Sequence, residues 1–313
     1  MLNFILTAIA PALLVIAVIV LVAPVVLCWR WYLHRQPRHS PLTKNLLRPP
    51  GHSLHEKIEE IDGDIDIFLI YLFLTPFIAF SVHISQVHFG GKPDTVSQIA
   101  FTVACAALFG CFCGWRMFHH LKRKRIHRLG LEGELATAEE LNQLMLDGCR
   151  VFHDIPYQYG NIDHVVVSRS GVYCVNTKCL GKLKEGNGDA EVVVDHDQNL
   201  LRFPDRNCPI PTSQLETEAK WLSQNLSSAV GEKVVVEPML ALPGWFIKER
   251  KGRDSVYVFN PNKPQKFFVR NRSVLTPEMV QRIAHQLEQL VRNVEPAFRE
   301  SKKWKVARSA TSI

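Results

Sequence analysis

The stretch IDHVVVSRSGVYCVNTK, residues 162–178, holds the residues best suited to chemistry. Asp163 opens one apolar run, Ser168-Arg169-Ser170-Gly171 supplies a tight turn, and a second apolar run ends in Asn176-Thr177-Lys178. Side chains alternate along a strand, so Asn176 and Lys178 project from one face. If the turn closes a short hairpin, Asp163 lies beside them. A carboxylate next to a lysine, with a second oxygen donor, can hold magnesium, which prefers hard oxygen ligands and keeps several waters. The metal would offset charge building on a phosphodiester, and the lysine would add to that or polarise the attacking water. The same letters also read as two core strands with polar ends, so the surrounding elements decide.

From Gly130, LEGELATAEELNQLMLDG places Leu131, Leu135, Ala138, Leu141, Leu144 and Met145 at helical spacing, with Gly148 as a stop. CRVFHDIPY, NIDHVVVSRS and GVYCVNTKC predict three strands rich in Val, Ile and aromatics. Residues 180–211, with EVVVDH and NLLRF, have no clear assignment. TSQLETEAKWLSQNLSSAV predicts a second amphipathic helix, KVVVEPMLAL a strand after it, and VYVFN and KFFVR further short strands. Thr276-Pro277-Glu278 predicts a capped helix start, with the helix running to about Val294. The order helix, three strands, helix, strand predicts an α/β architecture, one sheet with a helix on each face.

On these residues the chain resembles the PD-(D/E)xK nuclease superfamily, because Asp163 followed by Asn176-x-Lys178 looks like its D…(D/E)xK pattern. More specifically, Gly130-Leu131-Glu132-Gly133-Glu134, GNIDHVVVSRSGVYCVNTK at 160–178 and LALPGWF at 240–246 resemble the nuclease-related (NERD) domain, over roughly residues 128–260. The resemblance implies a restriction-endonuclease-like α-βββ-α-β domain that uses magnesium or manganese to cut DNA or RNA. It implies Glu134 as the helix-borne acid, Asp163 as the principal metal ligand and Lys178 as the catalytic lysine. The departure is Asn176, where the family usually has Glu. The Asn176 amide oxygen can still ligate a metal, but one attracting negative charge is lost, so metal affinity and catalysis should fall. Gln214, Glu218 and Leu222 share one helix face at i, i+4, i+8 spacing. There Gln214 and Glu218 support the site or meet DNA; the same spacing also describes a surface helix with Leu222 packed inward.

Ahead of this domain the chain is apolar. It is 313 residues long, 47% hydrophobic and 21% charged, which fits neither a pure membrane bundle nor a disordered chain. Residues 4–28, 67–84 and 96–115 are three runs suited to spanning a bilayer, which takes about 20 apolar residues. The start MLN offers no positive n-region, so the first run reads as a retained helix rather than a cleaved signal. Arg30, Arg35, Arg38, Lys44, Arg48 and Lys57 follow the first run, only Lys92 lies between the second and third, and Arg116, Lys122, Arg123, Lys124, Arg125 and Arg128 follow the third. The positive-inside rule then puts the N-terminus outside and the rest of the chain beyond Arg116 in the cytoplasm, as an integral protein of an inner or plasma membrane. The expected division is a membrane anchor at 1–127, with a cytoplasmic linker at 29–66 and a basic juxtamembrane segment at 116–127; a nuclease-like domain at 128–262; and an extension at 263–313 ending in a disordered basic tail with Lys302, Lys303, Lys305 and Arg308.

Other residues read as structural. The eight cysteines lack metal-ligand spacing, and CFC in an apolar run reads as packing. His119 and His120 are adjacent and so point to different helix faces. His164 faces away from Asp163, His153 and Asp154 border a strand end, and Pro243-Gly244-Trp245-Phe246 reads as a turn with a core aromatic. No glycine-rich phosphate loop, serine nucleophile elbow or haem motif occurs, and the spans carry too little charge for a transporter. The expected function is a membrane-tethered, magnesium-dependent phosphodiesterase acting on DNA or RNA. The alternatives are a decayed nuclease fold that binds nucleic acid, which the net charge of +7 permits, and a scaffold that binds protein.

Overall fold

The computed structural model describes residues 41–88, 95–182, 190–253, 256–269 and 273–296, together with 17, 20–29, 31–32 and 91. The chain divides into two compact units. One gathers Met1–Pro41, Glu59–Lys124 and Phe298–Ile313, and the other Leu42–Ile58 and Arg125–Ala297.

The first unit holds helix α1 (Val20–Trp29), most of α2 (His52–His88) and most of α3 (Val96–Asn142). Both α2 and α3 are long and apolar enough to cross a membrane. Their apolar stretches leave large side chains exposed, among them Phe73, Phe80, Phe101 and Leu108. Of the expected first span at 4–28, the described part is confined to α1 and residue 17; the remainder lies outside the described residues, as do Arg30, Arg35, Arg38, Lys92 and the basic tail. Within the expected linker at 29–66 a helix begins at His52 and continues into the second apolar run as α2. Its acidic run suits a helix once carboxylates find partners: Asp62 pairs with Lys124, and Asp64 lies 3.5 Å from His120.

The helix expected to start at Gly130 is the last part of α3, which runs through Gly130 and Gly133 without a break. A glycine costs a helix about 1 kcal/mol, which strong helix formers on either side overcome. The helix then tightens into a 3₁₀ turn at Gln143–Asp147, and Gly148 ends it at φ 83°.

In the second unit, β1 (Arg150–Tyr157), β2 (Gly160–Ser168) and β3 (Gly171–Thr177) form two hairpins. β3 then pairs in parallel with β7 (Val236–Ala241), and β7 in parallel with β9 (Tyr257–Phe259), giving the sheet order β1-β2-β3-β7-β9. The parallel β3–β7 step needs a crossover, which α4 (Thr212–Val230) provides. One sheet face, with Val165, Val167, Val172 and Cys174, packs on α4 and on α6 (Pro277–Val291). The Thr276 hydroxyl accepts from the Met279 amide and Pro277 fills the first turn, the start that the sequence spells out. The opposite face, with Val166, Tyr173 and Val175, packs on Leu141 at the end of α3, on Leu144 in the 3₁₀ turn and on Phe268.

Three expectations need correction. A single sheet was expected, but residues 180–211 contribute to a second one. It is built from β4 (Glu191–Asp195), β5 (Leu200–Arg202), β6 (Asn207–Pro209) and β8 (Phe246–Lys251) in the order β6-β5-β4-β8. Trp245 is buried there against Phe203, its ring 4.6 Å away, and its Nε1–H donates to Leu180 O. KFFVR is not a strand: Gln265–Phe268 is a short helix, α5, because Pro264 sets its first turn and Phe268 inserts against Tyr173 and Phe259. Finally, part of the expected linker is domain. Leu46 bridges Val294, and the Arg48 amide donates to Val291 O at 3.0 Å.

Candidate functional site

Strand β2 and strand β1 pair His153 with His164 and Ile155 with Ile162. By that register Asp154 stands opposite Asp163, two carboxylates across one ladder, an arrangement that repels unless something intervenes. Asp154 adopts φ 51°, a left-handed conformation that Asp tolerates better than most residues. Its carboxylate is fully buried and accepts four hydrogen bonds, from Arg48 Nη1 (2.6 Å), Ser53 Oγ (2.8 Å), Asn161 Nδ2 (2.9 Å) and the Ser53 amide (3.2 Å). The expectation that Asp154 merely borders a strand end is therefore corrected. It is the clasp that draws Arg48 and the first turn of α2 onto the sheet.

Asp163, half-buried, accepts the Thr177 amide on Oδ2 at 2.7 Å. Thr177 is itself fixed from the other side. His153 Nε2 faces the Asn142 side-chain amide oxygen Oδ1 at 3.0 Å, so that nitrogen carries the proton and His153 Nδ1 accepts. His164 Nδ1–H must then donate across 2.9 Å, which leaves its Nε2 to accept from the Thr177 hydroxyl at 3.2 Å. The chain closes only if both imidazoles are neutral. Burial favours that state: it holds His153 down at about 4 and His164 well below the usual histidine value.

Glu134 comes from α3, and a glycine brings it close. A Cβ on Gly133 would meet Cys179 Cβ at 2.3 Å, so the helix presses against the residue just after Lys178. Glu134 is only 6% exposed, and its Oε2 has no hydrogen-bond partner. Burial first, then Asp163 and Asp154, push the Glu134 carboxyl well above the carboxylate range. Asp163 is raised as well, by desolvation and by Glu218 and Asp154, against the pull of the Thr177 amide.

On α4, Glu218 is fully buried and accepts from Asn176 Nδ2 (2.6 Å), Gln214 Nε2 (2.9 Å) and the Tyr157 hydroxyl (3.2 Å). The bond to Glu218 spends the amide N–H of Asn176 and leaves its Oδ1 buried and without a partner. Five of the six residues singled out by sequence, Glu134, Asp163, Asn176, Gln214 and Glu218, are thus linked by contact or by field. Lys178 stands apart, because its Nζ donates to Pro209 O at 3.1 Å. The cation that acts on both Glu134 and Asp163 is Lys57, in the early turns of α2. Arg48, Ser53, Lys57, Asp154 and Asn161 were missed by sequence reasoning. The PPGHS turn before α2 was the one local signal available, since it marks a helix start with Ser53 in its first turn.

Among the described residues, no three His, Cys, Asp or Glu side chains converge as a metal-binding group. A cation here would draw on two carboxylates and an amide. The residues present fit one in two respects: the donors are all hard oxygens, which suit magnesium or manganese, and two buried oxygens, Glu134 Oε2 and Asn176 Oδ1, lack any partner.

Residues 129–243 match the family model of the nuclease-related domain, NERD. No curated protein and no solved structure matches the chain. The matched stretch begins in the last turns of α3 and ends just after β7, so it takes in Glu134, the two hairpins and α4.

Proposed function

We propose that this protein is a membrane-anchored, magnesium- or manganese-dependent phosphodiesterase acting on DNA or RNA, with its nuclease-related domain on the cytoplasmic side. One observation carries the reading: Glu134 Oε2 and Asn176 Oδ1 are buried without partners, while burial and the neighbouring Asp163 push the Glu134 carboxyl up. Buried polar atoms are ordinarily satisfied, and two orphaned oxygens among carboxylates ask for a cation. The helices α2 and α3 supply the anchor, and the basic residues after the third apolar run set the orientation.

In this reading Asp163, Glu134 and Asn176 hold the ion. Thr177 fixes the Asp163 carboxylate through its amide, and the neutral His164–His153–Asn142 chain keeps Thr177 in place. Glu218 aims the Asn176 oxygen by taking its N–H. When bound, the metal supplies charge to offset the developing phosphorane and to acidify the attacking water. Lys57 and Lys178 add positive charge beside an otherwise acidic floor. The Pro209 carbonyl restrains Lys178 by a single, half-exposed hydrogen bond that a phosphate can replace.

A second reading, a nuclease fold that binds without cutting, is favoured by two features of the same site. Asn176 replaces an acid, and Lys178 turns toward Pro209 rather than toward the carboxylates. Cleavage of DNA and RNA by the full chain, reconstituted in lipid with magnesium or manganese, separates the two. Cleavage that disappears in Asp163→Ala and Lys178→Ala supports the enzyme. A silent wild type beside an active Asn176→Glu supports the decayed, binding form, and silence in both removes the site assignment.

A further inference from the structure

The β1–β2 hairpin carries Tyr157-Gln158-Tyr159-Gly160 at its tip, and its aromatics are arranged in a way that core packing does not require. Tyr157 and Trp221 of α4 rest partly buried on the core, their rings 5.5 Å apart. Tyr159 projects beyond them, 75% exposed, with its ring 6.1 Å from that of Tyr157 in an edge-on contact. The rings are physically tied to the candidate metal ligands. The Tyr157 hydroxyl donates to Glu218, and Glu218 holds the Asn176 amide. Tyr159 immediately precedes β2 and Asp163 lies four residues further on, at the same end of that strand, so tip and site are separated by about 13 Å of extended chain.

An exposed tyrosine on a two-residue turn offers a flat π-face. Nucleobases stack on such faces whatever their sequence, but only when they are unpaired. A base inside a duplex has both faces occupied by its neighbours, so a stacking surface beside the scissile position discriminates by strandedness. Trp245 is buried and bonded to Leu180 O, so it cannot serve as such a face.

We propose that Tyr159, backed by Tyr157 and Trp221, is a stacking subsite for an unpaired nucleobase next to the metal site, so that the substrate is single-stranded nucleic acid or a frayed end. This rests on the phosphodiesterase reading above. Tyr159 lies outside the clusters that hold the fold together, so substituting it leaves the domain intact.

The test uses the full chain in lipid nanodiscs, with chelator present to prevent cleavage. The probes are a short single-stranded oligodeoxynucleotide, the oligoribonucleotide of the same sequence, and a blunt hairpin duplex. The single strands should bind about tenfold or more tighter than the duplex. Tyr159→Ala should erase that preference, Tyr159→Phe should keep it, and Trp221 fluorescence should be quenched by single strands alone. Comparing the two single strands shows whether the ribose hydroxyl matters. Single-strand binding that survives Tyr159→Ala, or equal affinity for the duplex, overturns the subsite and leaves the phosphodiesterase reading standing. No binding of any probe by the wild type also overturns the subsite, and cleavage tested separately with magnesium or manganese decides the phosphodiesterase reading.

Discussion

Arg48 Nη1 donates to Asp154 Oδ2 at 2.6 Å across 106 residues of sequence, and the Asp154 carboxylate it meets is fully buried. Ser53 and Asn161 complete the carboxylate's bonds, so the segment ahead of α2 is part of the fold that surrounds the candidate site. Removing one partner of such a pair strands the other charge away from water.

Arg48→Ala should therefore cost about 3–5 kcal/mol of stability, more than a surface arginine ever does. Arg48→Ala combined with Asp154→Asn should recover much of the loss, because the stranded charge goes with it. Chemical denaturation of the full chain and of both variants, followed by the fluorescence of Trp221 and Trp245, measures the difference. A fragment that begins at residue 128 lacks both Arg48 and Ser53 and should show the same instability. Equal midpoints for the wild type and Arg48→Ala would refute the clasp.

Asn176→Asp tests the bond to Glu218. The donor to Glu218 disappears and two carboxylates face each other, which costs about 1–3 kcal/mol without metal. The added charge strengthens cation binding, so manganese should return more thermal stability to Asn176→Asp than to the wild type. Melting curves with chelator and with manganese give both numbers. A variant as stable as the wild type in chelator would mean that the amide donor matters little.

The pH dependence of stability has a definite sign. Glu134 and Asp163 are both held above the ordinary carboxylate range by burial, Glu134 also by Asp163 and Asp154, and Asp163 also by Glu218 and Asp154. Between their unfolded and folded pKa values the folded chain binds more protons than the unfolded chain. The stability that these two groups contribute is then fullest below the unfolded values and falls as pH rises toward the folded ones. Magnesium, which favours the ionised forms, should flatten that decline, and so should Glu134→Gln. His153 and His164, held neutral by burial, contribute the opposite slope, so the readout is the difference in melting temperature between Glu134→Gln and the wild type from acid to neutral pH, with and without magnesium; a difference that does not grow with pH in the metal-free proteins would contradict the geometry.

Gly133→Ala places a methyl group where Cys179 Cβ already sits, 2.3 Å away. Either α3 or the chain after Lys178 must yield, at a cost of about 1–3 kcal/mol. Because Glu134 is the next residue, manganese affinity measured by calorimetry should fall along with stability. Gly133→Ala paired with Cys179→Gly should restore both. An unchanged affinity in the single variant would show that the carboxylate's position does not depend on this contact.

The hairpins and their facing helices were legible because alternation, turn residues and helical spacing are local signals. Val165, Val167, Val172 and Cys174 announce a buried strand face within one short window, and Thr276-Pro277 marks a helix start by itself. The second sheet was not legible, because its short strands gain their definition from β8, some fifty residues further on. For the same reason, KFFVR was misread: β-prone letters were overruled by Pro264 and by the cavity that Phe268 fills. In the site, Asp163, Asn176 and Glu218 stand on regular elements and could be found by pattern. Asp154 could not, since its importance lies in a left-handed backbone turn and in partners such as Arg48 that are distant in sequence. Lys57 was hidden by its setting in a run that reads as linker.

The bridge between Leu46 and Val294 also orders events in time. Residues 42–51 are made before α3 and before every strand, whereas Val291 and Val294, which they meet at the end of α6, come after all the described strands. Until α6 has been synthesised, Asp154 is the partner that holds Arg48, so a chain stopped short of Val291 lacks the contact that joins its early segment to the end of the domain.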